Sequence, residues 1–571
     1  MLCRVFLWLS FAGYGIMSCG KYASAYAPLT PMTFRGDREL PLLSVSFISL
    51  LAGVLIVYYL LPQKCRWTVL LAASMIFYLA SGAGSLVYML ITSVAVYAAA
   101  YAMQRITDQQ KAYFKANKLS REERAAVRKQ NRRKRKTCLV AALAVSLGLL
   151  CLFKYYHFAL EQLNIAAGWL GMQPIGGAMR LIVPLGISFY TFQSIGYLAD
   201  VYGENCRAEK NYFRLLLFIS FFPQITQGPI SSYESLSETL YAGNPAEEKN
   251  LIWGFQRLLW GFMKKMVIAN TLAQNTTILF ETYPDYAGVS ILLGAFLYLV
   301  QLYADFSGYM DIMCGYCEML GIRLTENFNR PFFSKSVSEY WRRWHISLGT
   351  WFRKYVYYPI GVSSWNLKLA KVCKNKLGKH AASCVPPTFA LLVTWFATGL
   401  WHGASWGYII WGLLNGVFII CSLWLAPVYE RASAALRMDN RNLFWKPFRI
   451  LRTFTIVALL EVLPEVGTLS DGFHFWSCIF TNCWLPGSLS ELIPFVHLRN
   501  FNKTIGFCAA MGCVVLLFIS SMMQRKKPIR AYFNALPVWV QVPLLAALIM
   551  LIATFGIQAS WGAEGFMYAN F

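Results

Sequence analysis

Long apolar runs separated by short basic connections dominate the chain. The runs fall at about 42–61, 67–80, 83–103, 138–157, 181–200, 250–272, 288–317, 387–402, 405–426, 449–466, 506–523 and 537–557. A helix crosses hydrocarbon with about 20 apolar residues, so the pattern predicts roughly ten to thirteen transmembrane helices. A membrane barrel would instead alternate apolar and polar residues over short segments. The expected fold is all-α and polytopic. Residues 212–230 fit the pattern less simply, because LLLFIS runs into FFPQITQGPI, where Pro223, Gly228 and Pro229 interrupt the helix. Such a break survives at membrane depth only where protein or a water-filled cavity covers the freed backbone groups. A re-entrant segment lining the interior is expected there.

Composition strengthens this reading. The 571 residues are 57% apolar and 14% charged, whereas soluble domains carry about 25% charged residues. The aqueous globular, disordered and fibrous classes are thereby set aside. The net charge of +25 would point to nucleic acid in a soluble protein. Here the cations sit beside spans, as Lys and Arg do when retained on the cytoplasmic side. From Arg105 to Lys136 there are thirteen Lys and Arg against three acids. Stretches at 364–379, 431–452 and 525–530 join this basic loop on the cytoplasmic side, so 471–503 and the C-terminus are expected outside. Membrane lipids, not nucleic acid, are the expected surroundings.

Residues 1–40 stand apart. MLCRVFLWLSFAGYGIMSCG resembles a signal peptide or anchor, a polar stretch follows, and the regular pattern begins near Leu42. We read 1–40 as an extension, with Met32 as an alternative start. Residues 41–571 read as a single polytopic domain whose chemistry concentrates at 181–426. The fifteen cysteines lie mostly in apolar runs and read as small buried hydrophobes. Cys314 and Cys317 have no second pair to complete a zinc site, so no metal is expected. Cys478 and Cys483 are near enough in sequence to pair, though nothing demands it. No P-loop and no H-E-x-x-H motif occurs, which excludes those ATPases and metalloproteases.

Six histidines are present. His402 lies in TWFATGLWHGASWGYIIWG, between spans and among small residues. An ionisable group at membrane depth marks a functional site by default, and imidazole exchanges protons near neutrality. The alternative is an interfacial histidine packed on Trp401 and Trp406. Ser405 completes a G-x-S-x-G, but a nucleophile elbow needs a preceding strand. In SVSEYWRRWHISLGTWFRKYVYYPIG, helical spacing places Trp341, Trp344, His345, Leu348 and Phe352 on one apolar face. Arg342, Arg343, Arg353 and Lys354 lie mostly off it, the pattern of an interfacial helix. The residues alone leave His345 open between a packed structural role and a catalytic one, and the arginines open between an acidic substrate and lipid headgroups. Asp305, Ser307, Tyr309 and Asp311 interrupt the run 288–317. Carboxylates at that depth must be paired or hydrated, shaping a polar tunnel or holding a cation. Asn327, Asn329 and Arg330 follow, before Pro331. Ser188, Tyr190, Gln193 and Tyr197 read as helix-packing polar groups.

Taken in order, VPLGISFYTFQSIGYLADVY, FPQITQGPI, YADFSGYMDI, ENFNRPFFSKSVSEYWRRWHISLGTWFRKYVYYPIG and TGLWHGASWGYIIWGLLNG resemble the membrane-bound O-acyltransferase (MBOAT) family, in its alginate O-acetylation branch. The similarity runs from about Leu42 to the C-terminus and leaves out 1–40 and 467–505. It implies a helical fold around a central tunnel, with His402 as the essential histidine and His345 as the second. Asp305, Tyr309, Asn329, Arg342, Arg343 and Trp401 become tunnel or substrate candidates. The resemblance implies no bound cofactor. Its donor substrate would be a cytoplasmic thioester, acyl-CoA (acetyl-CoA) or an acyl-carrier protein. The acceptor would be an extracellular or cell-wall polysaccharide, reached through an SGNH-type extracytoplasmic acyltransferase, and the location a bacterial inner membrane. The ending Phe566-Met567-Tyr568-Ala569-Asn570-Phe571 is similar to an F-x-Y-x-x-F ending in this branch or its partner peptides. There Tyr568 would relay the acyl group; an aromatic interfacial anchor is the alternative. D-alanyl transfer to teichoic acid, a transporter and an envelope scaffold are the competing functions.

Overall fold

The computed structural model describes residues 44–176, 181–436, 444–488, 491–496 and 501–557. Every regular element among them is helical. Helices α1 (Val45–Leu60), α2 (Arg66–Ala80) and α3 (Ala83–Ala116) lead into α4 (Arg121–Leu150). A π-helical turn, Cys151–Tyr155, joins α4 to α5 (Tyr156–Trp169). Then come α6 (Ile187–Tyr202), α7 (Tyr212–Ser220), the single turn α8 (Phe222–Ile225) and α9 (Tyr233–Leu240). α10 (Glu248–Phe262) continues through a second π-helical turn, Met263–Ala269, into α11 (Asn270–Thr282), followed by α12 (Gly288–Met319). Short helices α13 (Val337–Trp341), α14 (Ile346–Phe352) and α15 (Tyr358–Gly361) precede α16 (Ser364–His402). A third π-helical turn, Arg353–Tyr357, lies between α14 and α15. The remainder comprises α17 (Trp406–Trp424), α18 (Ala426–Ala435), α19 (Trp445–Val462), α20 (Leu469–Thr481), α21 (Phe501–Met523), α22 (Ile529–Phe533) and α23 (Val538–Phe555).

Seven of these segments are long and apolar enough to cross a membrane: α3, α4 with α5, α12, α16, α17, α21 and α23. The other expected runs are helical too. α1, α2 and α6 are 16, 15 and 16 residues long, and α10 and α19 carry charge. α3 and the α4–α5 rod reach 34 and 49 residues, about 51 and about 74 Å at 1.5 Å per residue. They therefore overshoot a hydrocarbon layer of about 30 Å. The overshoot carries the basic stretch, and a capping box between Ser120 and Glu123 starts α4. α16 bends at Gly378, where φ is +86°.

α10 and α12 pack antiparallel with almost no space between their backbones. A Cβ on Gly254 would lie 2.5 Å from the Gly315 carbonyl oxygen, and one on Gly261 would lie 2.6 Å from that of Gly308. Small residues at such spacing let helices approach without side chains between them. The approach brings a cluster of charged side chains together, with Lys264, Lys265 and Asp305 buried. Lys264 reaches Asp311 (2.5 Å) and the Ser307 hydroxyl (3.0 Å), and Lys265 pairs with Asp305. Arg257 joins Asp311 (2.9 Å) to Glu326, which it grips with two bonds of 2.6 Å. The second π-helical turn lets two consecutive lysines face the same partner helix. Asp305 and Asp311 are thus paired, one of the two alternatives their depth required. The lysines that pair them were legible only as two cations inside the run 250–272.

Gly261→Leu forces a side chain into the Gly308 backbone and should abolish a monodisperse detergent-extracted protein. Gly84→Leu, where a Cβ meets nothing within 4 Å, should be tolerated. Overpacking alone costs about 1–3 kcal/mol, and here backbone must move. Fluorescence-detected size exclusion of both variants checks this.

Candidate active site

His402 is the last residue of α16, and the turn after it is shaped by glycines. A Cβ on Gly403 would lie 2.1 Å from the Tyr408 ring, and one on Gly399 would lie 2.4 Å from the Tyr408 carbonyl oxygen. Only glycine allows α17 to fold back this closely. Ser405 caps α17 by accepting from the Tyr408 N–H, a structural use that agrees with its rejection as a nucleophile. The Tyr408 ring then lies nearly parallel to His402, with centroids 6.4 Å apart and planes at 14°. Trp401 and Trp411 stand edge-on to the imidazole, each 4.9 Å away. Trp406 is not part of this cage: it is exposed, and its indole N–H donates to Gln162.

The expected continuous amphipathic helix around His345 is broken. α13 stops at Trp341, α14 starts at Ile346, and His345 between them has φ +44°. A bulky residue in this left-handed region stores strain. What overrides the helical pattern is Asn327. Its carbonyl accepts from the Ile346 N–H (3.1 Å) and its side-chain oxygen from the Ser347 N–H (2.9 Å). These are the first N–H groups of α14, which have no partner within the helix. The His345 side chain does not cap α14 and is buried at 2% exposure.

The proline-broken segment behaves as expected for an interior-facing re-entrant. Phe221 to Ser231 are all buried, and several of its polar groups are bonded within the segment or to neighbouring elements. Gln224 donates to the Pro229 carbonyl and to Ser231 and accepts from Gln193. Thr226 pairs with Tyr309 (2.5 Å), and the Ile230 N–H donates to the Ser347 hydroxyl (3.0 Å). A Cβ on Gly228 would lie 2.2 Å from the Gln224 Cα. Gln227 is fully buried, and neither end of its amide has a partner among the described residues.

These segments bring the two histidines together, with ring centroids 6.5 Å apart. Trp401 contacts both rings, at 6.1 Å from His345, and is backed by Phe189 and Phe192. Phe306 of α12 closes the other side of His345 at 4.8 Å. The Trp401 indole N–H is buried with no partner among the described residues. The Gly403 N–H, by contrast, donates to the Gly399 carbonyl. Two side chains overlooked in the sequence complete the site. Lys154 donates to the Trp401 carbonyl and to Ser188, and Tyr155 donates to the Leu400 carbonyl (2.8 Å). A lone lysine in the apolar run 138–157 was the available signal.

Several candidates sit elsewhere. Asp305 is engaged by Lys265. Asn329 contributes its backbone N–H to the Arg343 carbonyl, while its neighbour Asn327 meets the start of α14. Arg342 is exposed and bonds Ser338; Arg343 bonds Glu339. Cys314, Cys317, Cys478 and Cys483 are free thiols. Among the described residues no cluster of three or more metal-ligating side chains occurs. Tyr568 and residues 1–40 lie outside the described residues.

With this geometry in hand, known proteins are informative. A family model described as MBOAT, membrane-bound O-acyltransferase family, matches residues 206–460. A protein of Pseudomonas aeruginosa described as a probable alginate O-acetylase is 36% identical over 358 residues, 62% of this chain and 62% of that protein. One of Azotobacter vinelandii with the same description is 32% identical over 435 residues, 76% of each. A peptidoglycan O-acetyltransferase of Helicobacter pylori is 28% identical over 76% of this chain and 82% of its own length.

Asn327→Ala leaves the buried Ser347 N–H without its acceptor. Such a loss costs about 1–3 kcal/mol. The thermal midpoint in detergent should fall, and Asn329→Ala, which keeps its backbone bond, should fall less.

Proposed function

Because the chain belongs to the membrane-bound O-acyltransferase family, we propose that this multi-pass membrane protein is an O-acyltransferase. It moves an acyl group, acetyl in our reading, from a thioester donor to a hydroxyl. The observation that carries this reading is the pair of buried histidines facing each other across Trp401. Transfer from thioester to hydroxyl requires the hydroxyl proton to leave as the oxygen attacks the carbonyl carbon. The His402 imidazole takes that proton. The tetrahedral intermediate then expels the thiolate, which recovers the proton, so ester and thiol form with no net change in charge. A positioned histidine contributes roughly 10²–10⁴-fold in such steps. The developing oxyanion needs a donor. The buried Trp401 N–H suits that role, since the Gly403 N–H is already engaged. His345, held by Asn327 in its strained conformation, orients the hydroxyl. The unpartnered Gln227 amide is suited to a polar group of the substrate.

The donor in this reading is acyl-CoA or an acyl-carrier-protein thioester, kept at the cytoplasmic face of a bacterial inner membrane by the basic loops. Only the acyl group crosses, through a tunnel past the histidines. The acceptor is an extracellular or cell-wall polysaccharide, completed by an SGNH-type extracytoplasmic acyltransferase, with Tyr568 as a candidate relay. The acetyl-transferring relatives support acetyl over D-alanyl.

The test is base-releasable acyl content of envelope and secreted polysaccharide, measured by mass in null cells and in cells with wild type or His402→Ala at matched membrane levels. His402→Ala should lose the ester to the level of the null, and the released acid names the group; alanine would select D-alanyl transfer. Equal ester in all three strains sinks the acyltransferase reading. Loss in the null alone brings forward the transporter or scaffold.

A further inference from the structure

The structure assigns Lys154 to a role in the site: we infer that it is a positioning residue for His402, acting through the backbone of Trp401. The inference rests on the acyl-transfer reading for its kinetic readout alone.

The last carbonyls of a helix have no partner within the helix. At membrane depth, where water is absent, each unmet group costs several kcal/mol. α16 ends at His402, so the carbonyls of Leu400 and Trp401 are among these. The π-helical turn Cys151–Tyr155 supplies both partners from consecutive residues. The Tyr155 hydroxyl donates to Leu400 (2.8 Å), and the Lys154 ammonium donates to Trp401. Lys154 also donates to the Ser188 hydroxyl of α6 (3.3 Å), and its nitrogen lies 5.7 Å from the centre of the Trp401 ring. Among the described residues no carboxylate lies within ion-pair distance of it. Its nitrogen therefore faces the carbonyl end of α16 and the Trp401 ring.

The Trp401 carbonyl belongs to the peptide plane that links Trp401 to His402. Fixing that plane fixes the direction in which the His402 side chain leaves the backbone. It also fixes the Trp401 ring, which packs on both histidines. A short hydroxyl side chain would satisfy the carbonyl without holding three elements at one point. Lys154 joins the α4–α5 rod, α6 and the end of α16.

The test uses the full-length protein in native membranes. Labelled acetyl transfer from acetyl-CoA is followed in wild type, Lys154→Met, Lys154→Arg and Tyr155→Phe at matched protein levels. A misplaced catalytic group loses about 10²-fold in turnover, and that loss is expected for Lys154→Met with the half-saturating donor concentration unchanged. Lys154→Arg should recover to within about tenfold of wild type because it restores the charge-assisted bond. In parallel, the ring nitrogens of ¹⁵N-histidine protein in nanodiscs are recorded, with His402 identified by the signal lost in His402→Gln. Lys154→Met should shift or broaden that signal and leave the exposed His380 unchanged. Wild-type turnover and an unmoved His402 signal in Lys154→Met would overturn the inference. A loss confined to donor affinity would overturn it as well. If Lys154→Met does not accumulate, Tyr155→Phe decides by the same two readouts, with roughly tenfold loss expected from one missing bond. If wild type transfers no acetyl, the functional reading or its donor fails, and the histidine signal alone settles the role of Lys154.

Discussion

No backbone polar group inside a membrane can fall back on water, and each irregular turn around the two histidines is an answer to that constraint. The end of α16 is met by Lys154 and Tyr155. The start of α14 is met by Asn327. In the broken segment after α8, the Pro229 carbonyl is met by Gln224 and the Ile230 N–H by Ser347. Apart from Gln224, each answer uses a residue from another element. The histidines are therefore positioned by the same contacts that make their irregular backbone tolerable. The placement of the histidines and the solvation of the backbone are one problem here, solved once.

Behind this ring stands a stiffer layer. The glycines of α10 and α12 set the helices against each other, and the ion pairs of Lys264, Lys265 and Arg257 fix their register. Removing one partner of a buried pair costs about 3–5 kcal/mol, far more than forming it gains. That asymmetry suits a register lock better than a source of stability. α12 in turn carries Phe306 to His345 and Tyr309 to Thr226. The charged seam thus acts on the site through rigid helix placement, without touching it.

How much of this was legible depended on the range of the interaction concerned. The spans, the interior-facing proline break and the singular place of His402 follow from local hydropathy and residue chemistry. The break at His345 does not, because Trp341, Trp344, Leu348 and Phe352 keep helical spacing across it. Only Asn327, far upstream, shows why the helix stops. Asp305 and Asp311 were legible as groups needing partners, but not which partners, since pairing across helices leaves no mark on either one. Lys154 was hidden for the same reason: an isolated cation in an apolar run does not announce the carbonyl it will meet. Asn327 and Asn329, two asparagines of one short motif, look alike until the backbone is traced.

The three π-helical turns among the described residues share a habit. Cys151–Tyr155 delivers Lys154 to the Trp401 carbonyl, Met263–Ala269 delivers Lys264 and Lys265 to α12, and Arg353–Tyr357 delivers Lys354 to Asp200 at 2.6 Å. A π turn is a helix carrying one residue more than its neighbours need. Removing that residue would restore a regular helix, leave the flanking residues on their faces, and turn the residues of the bulge itself out of position. In such helices the inherited quantity is the count of residues as much as their kind. Evolution can exchange side chains along these rods with some freedom, but an in-frame loss of a single codon at any of the three turns would uncouple a lysine from its distant partner.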